Sequence, residues 1–94
     1  MELLLEEIRR AVAEGRVVAT MHGNERLRER GVMFWQVIAG LEAGHLIAER
    51  AADVPLPSIE VQQRLADGTD VHGVWSYSRS LRLARLVTVH FYNW

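Results

Sequence analysis

The residues best placed for chemistry lie between Thr20 and Val32. If this very polar stretch is helical, His22, Arg26 and Arg30 fall at i, i+4 and i+8 and line one side of a short rod. Guanidinium groups in such a row suit forked contacts with phosphate or carboxylate. A histidine beside them can take or give a proton near neutral pH. Gly31 is suited to stop the rod, because it enters the left-handed region without a Cβ clash. A plainer reading stands beside this one. His22 can be a helix-start residue bonded to a backbone group, and Arg26 and Arg30 can be bridges to Glu25, Glu29 or the acids of the first helix.

The rest of the chain must present that rod. Leu3, Leu4, Ile8, Ala11 and Val12 recur at helical spacing and predict an amphipathic helix over 2–13, ended by Gly15. Arg16 to Thr20 is a β-branched run and predicts a short edge strand. Within the rod, residues 22–30, Gly23 and Leu27 share a face that can pack inward. Phe34, Val37, Ile38 and Leu41 predict a third helix over 33–43, closed by Gly44, with Trp35 beside them as core.

After Gly44 the pattern changes to strands. Residues 45–50 and 58–66 read as two, separated by a loop whose prolines, Pro55 and Pro57, cannot join a ladder. Asp67-Gly68-Thr69-Asp70 reads as a hairpin turn into a strand over 71–77, with Trp75 and Tyr77 on one face. The last strand covers 83–92, with Val87, Val89 and Phe91 on one face and Thr88, His90 and Tyr92 on the other. The predicted class is α+β: N-terminal helices packed on one face of a small antiparallel β-sheet, the other face partly open.

Ninety-four residues make one domain, 1–94. The absence of cysteine excludes disulfides and thiolate metal sites. No run approaches the roughly 20 apolar residues of a membrane span. The N-terminus carries acid where a signal peptide needs base, so a cytoplasmic protein without membrane partners is expected. The net charge of −1 argues against a simple nucleic-acid binder. All eleven basic residues are arginine, and residues 16–30 hold four of them with a histidine and only two acids. Charge is sorted along the chain even though the total is nearly neutral.

His22, Arg26, Arg30 and Gly31 follow an extended stretch in a familiar order. Ala43-Gly44-His45-Leu46-Ile47, the Pro55-Leu56-Pro57-Ser58 loop, the Asp67-Gly68 hairpin with His72 on its second strand, and Leu86-Val87-Thr88-Val89 come after them. In order and spacing the chain resembles the family called domain of unknown function 4258 along nearly its whole length. Gly23 stands where that family usually has alanine, and His90 where tyrosine is expected, with Tyr92 two residues on. The family is similar in layout to the RelE-like small ribonuclease toxins. Its members are often encoded beside a small zinc-finger antitoxin-like protein. The resemblance therefore implies a type II toxin with a cognate antitoxin as partner and RNA, free or on the ribosome, as substrate.

Metal-free RNA cleavage needs a base for the 2′-hydroxyl proton, cations for the phosphorane and an acid for the leaving 5′-oxygen. The chain offers His22, His72 and His90 as acid or base, Arg26 and Arg30 as clamps, and Thr88 and Tyr92 as hydrogen-bonders. The expected arrangement brings His22, Arg26 and Arg30 to the open face near His72 and Thr88. No cofactor or metal is required; His72 and His90 on neighbouring strands are a weak zinc signal without a close-spaced ligand pair. The rival reading is a catalytically silent protein-binding module of the same fold, in which His72 is a satisfied strand histidine and Thr88 a simple β-former.

Overall fold

The structure is a computed structural model and describes residues 3–91. Tyr92, expected above as a site residue, lies outside them. The order of elements is α1 (Leu3–Ala13), β1 (Val17–Ala19), α2 (Met21–Arg30), α3 (Phe34–Leu41), β2 (His45–Arg50), β3 (Ser58–Arg64), β4 (Asp70–Ser78) and β5 (Leu83–Phe91). This is the expected α+β succession, and the five strands form one sheet in the order β1-β5-β4-β3-β2.

Strands β2 to β5 form the expected antiparallel meander. The sheet as a whole is mixed, however, because β1 joins β5 in parallel, from Val17 opposite Ala84 to Ala19 opposite Leu86. A parallel pair needs a long crossover, and here everything from α2 to β4 supplies it. Nothing in a three-residue strand announces its direction.

Helices α1 and α3 pack on one face of the sheet. On α1 the inward residues are Leu4, Leu5, Ile8 and Ala11, while Leu3, expected inside, is 57% exposed. With Ile8 fixed inward, positions 4 and 5 lie four and three residues back, on the same stripe; position 3 falls off it. Trp35 is likewise not core but 61% exposed. It sits one residue, about 100° of helix, past Phe34, and the inward stripe of α3 continues through Val37 and Leu41. Trp75 is fully buried, as expected. Arg9 of α1 donates to Leu41 O and Gly44 O at 3.3 and 2.9 Å, so a cation closes the end of α3.

One polar side chain is buried among these apolar ones. Gln63 is 1% exposed; its Nε2 donates to Val37 O at 2.7 Å, and its Oε1 accepts from Trp75 Nε1 at 2.8 Å. This amide ties α3 to β3 and gives the buried indole its acceptor. Gly73 leaves the room: a Cβ there would lie 2.4 Å from Gln63 Oε1.

Helix α2 does not lie over the sheet with the others but runs along the edge of β5. Beyond Leu86 that edge has no strand beside it among the described residues. Thr20 turns the chain from β1 into α2 and closes the gap. Its N–H donates to Leu86 O at 2.9 Å, its Oγ1 donates to Val87 O at 2.9 Å, and the same oxygen accepts from Gly23 N at 3.0 Å as the helix cap. Arg26 Nε reaches Val89 O at 3.3 Å. Gly31 ends the helix in the left-handed region, φ 66°, as expected.

A bulge interrupts β5. Val74 is opposite Thr88 and Trp75 opposite Leu86, so Val87 is the extra residue and leaves the core face on which it was expected. Leu86 and Val89 are the core residues on either side. An unbroken run of β-formers cannot show where one residue is surplus.

Two substitutions test this packing. A Cβ at position 23 would meet Leu86 O at 2.5 Å and Val87 O at 3.3 Å. Overpacking against fixed backbone costs about 1–3 kcal/mol, more than the ~1 kcal/mol alanine gains as a helix former. Gly23→Ala therefore lowers the urea midpoint of unfolding; an unchanged or raised midpoint would refute the close approach. Gln63→Leu removes both buried bonds and leaves the Trp75 N–H unsatisfied, an expected loss of about 1–3 kcal/mol in the same measurement.

Candidate functional site

The sheet has two faces, and register decides which residue belongs to which. Strand alternation sends Val89 and Phe91 to the helix side and His90 to the other. On that second, open face His72 and His90 stand directly opposite each other on neighbouring strands, as do Val74 and Thr88 in the next row. Side chains so paired come within contact range.

His72 is held by a carboxylate. Its Nδ1 lies 3.0 Å from Glu60 Oε2, and the two side chains are 22% and 20% exposed. Glu60 also faces Arg50 Nη2 at 3.5 Å. The result is a row across the sheet: Arg50, Glu60, His72, His90. A carboxylate on one ring nitrogen fixes the orientation of an imidazole, and a second imidazole beside it supplies the other half of an acid–base pair. Neither Glu60 nor Arg50 was singled out from the sequence. Counting outward from the Asp67-Gly68 turn pairs Gln62 with His72 and places Glu60 diagonally across from it, so the hairpin was the available signal. Thr88 shares the face, but its Oγ1 is shielded from solvent and has no hydrogen-bond partner among the described residues.

The α2 residues stand elsewhere. Arg26 and Arg30 have their guanidinium carbons 5.9 and 5.1 Å from the centroid of the Phe91 ring. Arg26 also pairs with Glu29 at 2.8 Å, one of the bridges expected in the plainer reading. His22, at the start of the helix, is exposed. Of the groups expected to gather on the open face, His72 and Thr88 are on it, while the two arginines rest against Phe91, a ring on the helix side of β5. Because α2 closes the edge of β5, its arginines lie over a ring of the opposite face. Beside them a cleft of about 230 Å³ opens between Arg30, Gln36, Asp67 and Thr69. The Thr69 N–H, bonded to Asp67 Oδ1 at 2.9 Å, holds the Asp67 carboxyl below the usual range.

Arginine gathers once more at the far end of the sheet. Arg10, Arg16, Arg79 and Arg82 line a cleft of about 330 Å³ with Glu7 and Tyr77. Two of the four are already engaged there, Arg79 with Glu7 at 3.0 Å and Arg16 with Glu14. The Arg16 hydrogen bond holds the Glu14 carboxyl below its ordinary value. Among the described residues no group of three histidine, aspartate or glutamate side chains converges as a metal site. No helix among them is long and apolar enough to cross a membrane.

No curated protein and no solved structure matches the chain. One family profile does, that of the domain of unknown function (DUF4258), over residues 19–91. That span begins at the end of β1 and takes in α2, the Glu60–His72–His90 row and the whole of β5, and on that match the chain belongs to the DUF4258 family.

Proposed function

We propose that this protein is a metal-independent endoribonuclease, the toxin of a type II toxin–antitoxin pair, with the open sheet face as its RNA surface. The Glu60–His72–His90 row carries this reading. Glu60 orients His72 through Nδ1. The His72 imidazole takes the proton of a ribose 2′-hydroxyl, and the freed oxygen attacks the adjacent phosphorus. The P–O5′ bond breaks, His90 gives its proton to the departing 5′-oxygen, and a 2′,3′-cyclic phosphate remains. Arg26, bonded to Val89 O, acts as a positioning residue: it fixes the strand one residue before His90. Arg30 stands over Phe91, one residue beyond, and borders the same end.

The rival reading, a silent protein-binding module, draws on one observation. Met33 and Trp35, at the start of α3, are 60% and 61% exposed, a large apolar pair on the surface. In the toxin reading the same pair is available to the antitoxin.

Purified protein incubated with messenger RNA, with and without ribosomes, decides between them. The expected result is cleavage that persists in EDTA, with cyclic phosphate ends and a bell-shaped pH profile, since one imidazole must be neutral and the other protonated. His72→Ala and His90→Ala each reduce the rate by about 10²–10⁴-fold. Equal cleavage by wild type and the double variant would end the assignment of these residues. Absence of any cleavage, with co-purification of the product of a neighbouring small reading frame, would favour the binding module.

A further inference from the structure

The loop between β2 and β3 folds back over the open face and roofs a cleft of about 260 Å³. Pro55 and Leu56 of the loop and Val74 and Val87 of the sheet give it apolar walls. Val87 reaches it only because the β5 bulge takes that residue out of the core. Asp53, Ser58, Ser76 and Arg85 supply the polar groups.

Three observations mark this as a built site. Ser76 is 4% exposed, and its Oγ has no hydrogen-bond partner among the described residues. A buried hydroxyl left in that state is costly and uncommon in folded proteins. Arg85 stands opposite Ser76 on the neighbouring strand and makes no ion pair among the described residues. Asp53 is fixed at the cleft by Ser58, whose Oγ donates to its Oδ2 at 2.7 Å.

The ligand must suit all of these at once. A simple anion is disfavoured by Asp53 and a simple cation by Arg85. A flat group with apolar faces, hydrogen-bond donors for the carboxylate and acceptors for the guanidinium satisfies both. Among nucleobases guanine carries that set: N1–H and N2–H as adjacent donors, O6 and N7 as the acceptor pair that arginine grips by its fork. Adenine presents an acceptor where guanine has N1–H, and the pyrimidines lack N7.

We propose that this cleft binds a guanine base of the RNA whose phosphate meets His72 and His90, an inference that takes its setting from the ribonuclease reading above. Ser76 and His72 lie four residues apart on β4, roughly 14 Å at about 3.4 Å per residue. The base and the reacting phosphate therefore belong to nearby nucleotides of one strand.

The test is titration of the full chain with GMP, AMP, CMP and UMP, followed by calorimetry and amide NMR. GMP is expected to bind at least tenfold more tightly than the others, with shifts centred on residues 53–58, 74–76 and 85–87. Asp53→Asn and Arg85→Ala each weaken GMP at least tenfold without changing the melting temperature. Equal affinity for all four nucleotides, shifts elsewhere, or GMP affinity untouched by both substitutions would overturn the proposal. The wild-type comparison needs no variant to fold. GMP binding with intact RNA would sustain the guanine site and remove the ribonuclease; RNA cleavage without base preference or GMP binding would do the reverse.

Discussion

The structure depends on how one strand edge is closed. β5 lies inside the sheet for its first residues, where β1 pairs with it, and at the edge for the rest. An open edge with unpaired carbonyls invites pairing with other chains. Here a helix covers it. Thr20 meets Leu86 O and Val87 O, and Arg26 meets Val89 O, so one short segment replaces a missing strand. In this chain the approach is close: a Cβ at position 23 would meet Leu86 O at 2.5 Å.

That closure fixes the chemistry on both sides. With α2 on the edge, Arg26 and Arg30 are drawn over Phe91 and become part of what holds the end of β5. The opposite face then carries Glu60, His72 and His90, with no helix over them among the described residues. The bulge at Val87 adds to the separation. It moves one apolar side chain from the core to the open face and supplies a wall for the cleft beneath the Asp53–Ser58 loop.

The two faces of the sheet carry different polar groups. Gln63, between α3 and Trp75, is sealed inside with its amide nitrogen and its amide oxygen each hydrogen-bonded, so it specifies one packing of helix on sheet. Glu60 and Ser76 sit on the far side, where one holds an imidazole and the other keeps an unused hydroxyl. The two sets alternate along the same strands, separated by nothing more than the two-residue period of the pleat.

Local pattern alone determined the elements. Hydrophobic spacing, turn residues and the stop at Gly31 place three helices and five strands nearly where they are, because these signals are written within a few residues of each other. Residue type alone also nominated His72 and His90. What it could not supply was anything that depends on two distant segments meeting: the direction of β1, the surplus residue in β5, and the side of the sheet on which the arginines of α2 come to rest. Those follow from register and edge, and both are properties of the assembled sheet; one residue of slip exchanges its faces.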